Sequence, residues 1–157
     1  MNLGQEVITL LRERGETLSA AESLTGGLLA KTLTDFEGAS LAFLGGVIAY
    51  SIESKLHDLD VPKDVIDTHG PYSQETALAM AEGAKRRFGS DWAISTTGVA
   101  GPGYSHGIAA GEVWISIIGG QVRENIKLSL SGDRSSIRFG AVEGALSAFT
   151  RILRASD

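Results

Sequence analysis

Cysteine is absent from the chain, which excludes disulfides, thiolate metal sites and a thiol nucleophile together. Proline is nearly as scarce, at 3 residues, and no low-complexity tract reads as a flexible linker. Long apolar runs are missing too. The longest candidates, Leu41 to Tyr50 and Trp114 to Ile118, fall short of the ~20 residues that a membrane helix requires. The N-terminal stretch MNLGQEVITLLRERGE intersperses charge among its apolar residues and lacks the apolar core and cleavage site of a signal peptide. Positive charge is not in excess either. The 14 Lys and Arg against 19 Asp and Glu leave a net charge of -5, poorly suited to neutralising many phosphates of DNA or RNA. Together these absences predict a cytoplasmic protein with no membrane span, no nucleic-acid partner and a catalytic nucleophile other than Cys.

What is present predicts a compact fold. A hydrophobic fraction of 43% over 157 residues fits one domain, residues 1–157, around one core. Leu3, Val7, Leu10 and Leu11 recur at helical spacing until Gly15. Thr17 to Ala21 reads as a strand, Ser23 to Gly27 as a tight turn, and Leu28, Leu29 and Leu33 as a second helix. In Leu41 to Ser51 an apolar strand is interrupted by Gly45-Gly46, the mark of a bulge or of a close ligand approach. Ile52 to Leu59 and the segment after Val61-Pro62 read as short elements. A longer helix opens at Ser73-Gln74-Glu75-Thr76 and buries Leu78, Met80, Ala81, Ala84 and Phe88. Trp92 to Thr96 is a strand, and Gly98 to Gly111 reads as a long loop. Alternation at Val113, Ile115 and Ile117, then at Val122, Glu124, Ile126 and Leu128, predicts a hairpin. A last helix, capped by Ser131 or Asp133, carries Ile137, Val142, Ala145, Leu146, Phe149 and Ile152. Helices interleaved with strands and ending in a hairpin predict a three-layer α/β/α sandwich with a mixed sheet.

Few residues here are suited to chemistry. Ser23 stands before Thr25-Gly26-Gly27 at a helix start, where free N–H groups and the helix dipole favour an anion or an oxyanion. Taken alone, the heptapeptide Ala21 to Gly27 reads as an ordinary helix start capped by Ser23 or Thr25. A serine nucleophile needs a base, yet His57, His69 and His106 fall in no triad motif and no metal-binding spacing. Lysine remains. Lys55, following Tyr50-Ser51 at the end of an apolar strand, could be dried enough to lose its proton, although an exposed surface lysine fits the same residues. Thr97, Gly98 and Gly101 lie in Thr96-Thr97-Gly98-Val99-Ala100-Gly101, at a strand end where open α/β sheets contact ligands; the spacing is not that of a P-loop, and a plain surface loop fits the motif as well. Arg134 opposes the positive end of its own helix, which suits an anion site; a salt bridge to Asp133 or Glu143 accounts for it as well.

Read in order, AESLTGG, FLGGVIAYS with ESK, YSQETALAMAEGAKRRFG, TTGVAGP and SGDR resemble the CinA C-terminal domain family, the nicotinamide-nucleotide amidases. The resemblance runs from about residue 3 to residue 155, as in a stand-alone form of that domain. It implies a five-stranded mixed sheet and hydrolysis of nicotinamide mononucleotide to nicotinic acid mononucleotide and ammonia, without cofactor or metal, in a homodimer. Position by position, Ser23 matches the family's nucleophile and Lys55 its lysine. Tyr50, Thr97 and Arg134 match residues that shape the pocket or contact substrate, and Gly45, Gly46, Gly98 and Gly101 its backbone-lined walls. Thr25 and Gly26 stand with them as expected substrate contacts, and backbone donors near Gly26 or Gly46 as the expected oxyanion site. Three departures stand out: Leu24 where Cys is common, Ile52 where Asn is common, and Tyr104 to Val113 in place of the usual loop region. Leu24 leaves Ser23 untouched, whereas Ile52 and the altered loop support the alternative of a non-catalytic nucleotide-binding module of the same fold.

Overall fold

The computed structural model describes residues 2–156. Helix α1 (Leu3–Arg14) is capped by the Asn2 side chain and ends on Gly15 in the left-handed region. Strand β1 (Leu18–Glu22) follows, then α2 (Leu28–Thr34), a single turn at Ala39–Leu41, and β2 (Phe43–Ile48). Helices α3 (Ile52–Leu59), α4 (Lys63–His69) and α5 (Gln74–Phe88) lead to β3 (Trp92–Gly98). The hairpin of β4 (Glu112–Gly119) and β5 (Val122–Ser129) precedes α6 (Arg134–Ala155), whose cap is Asp133 rather than Ser131.

The five strands lie in the order β2-β1-β3-β4-β5. The first three are parallel, β4 runs antiparallel to β3, and β5 antiparallel to β4. Apolar side chains of α1, α2 and α6 pack one face, and those of α3, α4 and α5 the other. The mixed three-layer sandwich expected from the pattern is therefore the fold. Because β1 has β2 on one side and β3 on the other, the chain reverses its direction of travel across the sheet at β1. The crevice beyond the carboxyl end of such a strand is where open α/β sheets place ligands. Ser23 is the first residue past that end.

One expectation needs correction, and of the two readings of Gly45-Gly46 the bulge is the one found. Gly45 and Gly46 do not open the sheet to a ligand. The register slips between Leu18 and Ser19, opposite Phe43 and Gly45, so Leu44 is the extra residue. A Cβ on Gly45 would lie 2.7 Å from the Phe88 ring, and one on Gly46 2.9 Å from the Ala20 carbonyl oxygen, so the close approach is made by the protein's own atoms. The segment before Gly111 is the long loop expected, and it is tied down. Strand β3 continues through Gly98, and residues 99–111 are tied back by Val99 N–H to Glu112 O, Gly111 N–H to Val99 O and reciprocal bonds between Ser105 and Ile108.

The helix that carries Lys55 is seated by a contact without slack. At Gly83 of α5 the backbone meets the end of α3, and a Cβ would fall 2.0 Å from the Leu59 carbonyl oxygen. Gly83→Ala is therefore expected to cost about 1–3 kcal/mol and lower the melting temperature by several degrees, as read by calorimetry. An unchanged melting temperature would show that the α3–α5 contact is not tight in solution.

Candidate active site

The turn after β1 is built from within. Glu22, 2% exposed, ends the strand and folds its carboxylate under the next helix. Its two oxygens accept the N–H groups of Gly27, Leu29 and Ala30 at 3.2, 2.8 and 3.0 Å. The first turn of α2 is thereby satisfied by a buried carboxylate, with Leu28 N–H going to the Thr25 backbone carbonyl, rather than by the hydroxyl of Ser23 or Thr25, and its donors are not left for an external anion. Gly26 and Gly27 adopt positive φ, 55° and 103°, to make the bend.

Freed from capping, Ser23 points its hydroxyl at Lys55. The Nζ of Lys55 lies 3.0 Å from Ser23 Oγ and 3.0 Å from the Ala49 carbonyl oxygen. Lys55 is 1% exposed, and among the described residues no carboxylate pairs with it. Burial disfavours the ammonium form and lowers its pKa from 10.5 to about 8. The local cause is visible in the chain. Strand β2 ends at Ile48, Ala49 lies buried beside Glu22, and Ser51 caps α3 through the Ser54 N–H, so that Lys55 enters the interior one turn later.

A cleft of about 250 Å³ opens over Ser23. Its walls include Tyr50, Tyr72 and Tyr104, which are all the tyrosines of the chain, together with Gly98, Gly101 and Arg134. Arg134 forms no salt bridge with Asp133 or Glu143. Its guanidinium donates to the Gly101 carbonyl oxygen and to the Tyr50 hydroxyl, each at 2.5 Å. An arginine carries five N–H donors, so others remain to face an anion. Tyr72 and Ser105 share a hydrogen bond of 3.1 Å across the far wall, and His106 lies edge-on to the Tyr72 ring.

The structure thus brings Ser23, Lys55, Tyr50, Gly98, Gly101 and Arg134 together, as the sequence suggested. It leaves others aside. Thr97 is buried and donates its hydroxyl to the Pro71 carbonyl oxygen at 2.7 Å, and Thr25 shares a 2.8 Å hydrogen bond with Thr96, so both support the site from behind. Gly45 and Gly46 lie inside β2, away from the cleft. Four contributors escaped the sequence reading: Glu22, Tyr72, Tyr104 and Arg138. Arg138 was legible as the residue one helical turn beyond Arg134, on the same face of α6; nothing local announced the tyrosines. Among the described residues no group of three or more His, Asp or Glu is gathered to hold a metal ion, and no helix is long and apolar enough to cross a membrane.

Known proteins share this arrangement of elements. The chain is 31% identical to a competence damage-inducible protein A from Klebsiella pneumoniae, superimposing with a TM-score of 0.95 over 99% of this chain and 97% of that one. A competence/damage inducible protein from Agrobacterium tumefaciens superimposes with a TM-score of 0.91 at 32% identity, over 97% and 93%. In sequence, it is 42% identical over 147 residues to a CinA-like protein of Frankia casuarinae, which covers 94% of this chain but 34% of that protein. The chain spans about a third of the length of the curated relatives it matches. The model of the CinA C-terminal domain matches residues 1–153, and the chain belongs to that family.

Proposed function

We propose that the chain is a serine-type amidohydrolase that converts nicotinamide mononucleotide to nicotinic acid mononucleotide and ammonia. The observation that carries this reading is the buried Lys55 amine at 3.0 Å from the Ser23 hydroxyl. With a pKa of about 8, about one Lys55 in ten is neutral at pH 7, against about one in three thousand for an ordinary lysine.

The neutral amine accepts the Ser23 proton, and Oγ attacks the carboxamide carbon while the carbonyl π electrons move to oxygen. Collapse of that intermediate breaks the C–N bond, and the Lys55 ammonium returns its proton so that ammonia leaves. Water, deprotonated by Lys55, then attacks the ester, and Ser23 departs with the proton. The pyridinium ring withdraws electrons from the carboxamide, which makes it a better electrophile than a plain amide. Tyrosine rings along the cleft suit a flat cationic ring, and Arg134 suits its phosphate.

We also propose a homodimer paired along β2. This edge strand lies in a stretch, residues 38–52, that has no charged residue, and it exposes Leu44 and Ile48. The opposite edge, β5, is guarded by Arg123, Glu124 and Lys127. An unguarded edge invites pairing, and two copies can satisfy it about a two-fold axis.

Three outcomes are expected. Ser23→Ala should lower ammonia release by at least about a thousandfold while calorimetry still registers nucleotide binding; undiminished turnover would sink the mechanism, and binding without turnover in the unmodified protein would favour the non-catalytic module. Because the base acts in its neutral form, kcat/KM should rise with pH up to about 8 and then level, and Lys55→Arg, which cannot deprotonate there, should abolish it. A profile that falls over this range would reverse the assignment. Light scattering should give twice the chain mass for the unmodified protein and a monomer for Leu44→Lys; an unmodified monomer would refute the β2 pairing.

A further inference from the structure

The turn that presents Ser23, residues 23–27, leaves two backbone donors without an acceptor among the described residues. Ser23 N–H goes to the Thr96 carbonyl oxygen at 2.9 Å. Gly26 N–H goes to the Ser23 carbonyl oxygen at 3.0 Å, and Gly27 N–H to Glu22. Leu24 and Thr25 are both buried, and among the described residues their N–H groups have no acceptor. Buried N–H groups without partners are rare and costly, and they recur where a reaction presents an oxygen anion.

The other side of the same peptides is held by one side chain. Arg138 donates through Nε to the Leu24 carbonyl oxygen at 3.0 Å and through Nη2 to the Thr25 carbonyl oxygen at 3.1 Å. In a trans peptide the N–H points opposite to the C=O. Fixing the Leu24 carbonyl on Arg138 therefore turns the Thr25 N–H away from the guanidinium. The Leu24 N–H is fixed in the same way, because its peptide's carbonyl, that of Ser23, is held by Gly26 N–H. Arg138 also locks that second link, since the Thr25 carbonyl it binds belongs to the peptide carrying the Gly26 N–H. Glycine at 26 leaves room for it: a Cβ there would lie 3.0 Å from the Arg138 guanidinium.

We infer that the Leu24 and Thr25 N–H groups form the oxyanion hole of the Ser23 reaction and that Arg138 is the residue that positions it. This assignment rests on the amidase reading above and names donors within it. Arg138 touches no reacting atom; it acts through the two peptides and through its charge. Its neighbour one turn earlier, Arg134, lines the cleft instead, so the two arginines divide the work of α6 between substrate binding and transition-state support.

The test compares Arg138→Ala, Arg138→Lys and Arg134→Ala with the unmodified protein in ammonia release from nicotinamide mononucleotide. Arg138→Ala should lose about a hundredfold in kcat, the usual scale for an impaired oxyanion hole, with KM largely kept and with partial recovery on adding guanidinium ion. Arg138→Lys, which keeps the charge and stem if the alanine variant fails to fold, should fall between. Arg134→Ala should instead raise KM. In amide NMR of the unmodified protein, the 3-carboxaldehyde analogue of the nucleotide, adding to Ser23 as a hemiacetal, should move the Leu24 and Thr25 protons farthest downfield. If the unmodified protein turns over but both Arg138 variants keep its kcat, or if other amides carry the shift, the assignment is overturned. No ammonia release from the unmodified protein would defeat the amidase reading itself, and this inference with it.

Discussion

A lysine amine held in the interior without a carboxylate is the constraint around which this domain is arranged. Removing an ammonium ion from water is costly unless it is paired. Among the described residues Lys55 has a serine hydroxyl and a backbone carbonyl at hand and no carboxylate, so the cost appears as a pKa lowered to about 8. That poise needs α3 to stay where it is. The cap at Ser51, the bare backbone of Gly83 against Leu59, and the apolar cluster of α3, α4 and α5 all serve that end. Stability and reactivity meet in the same side chain.

The second support comes from charge placed at fixed backbone rather than at free ions. Glu22 satisfies the start of α2, and Arg138 satisfies the outward carbonyls of the turn it makes. Between them the turn at Ser23 has its peptide groups oriented by the protein's own atoms, which is the condition the proposed reaction needs for strong electrostatic stabilisation. Arg134 and Tyr50 close the rim through their own hydrogen bond, and on the reading proposed above phosphate and ring recognition fall on that one wall.

The fold was readable from the sequence because its periodicities agree with its punctuation. Gly15 and Gly89 stop helices in the left-handed region, Ser51, Ser73 and Asp133 start them, and Val113 to Ile117 alternate as a strand should. Ser23 and Lys55 were legible only through their ordered company, since neither has a local mark that sets it apart from a cap or a surface lysine. The glycines misled for a physical reason. Gly45 and Gly46 have the freedom a ligand approach would require, yet here Phe88 and the Ala20 carbonyl occupy that space. Thr97 misled similarly, sitting at a strand end but pointing at Pro71. Arg138 stands legibly one turn beyond Arg134, but the Leu24 and Thr25 carbonyls it binds are distant in sequence and meet it only in the fold; Glu22 acts locally, on Gly27, Leu29 and Ala30, through a bend that brings the carboxylate back under α2.

The central claim is that Ser23 attacks substrate and carries its acyl group. Its most direct test is mass spectrometry of the protein quenched in acid during turnover of nicotinamide mononucleotide. The account predicts a nicotinic acid mononucleotide ester on the peptide containing Ser23, removed by hydroxylamine. Ammonia release with no ester on that peptide, or with the label on another residue, would contradict it.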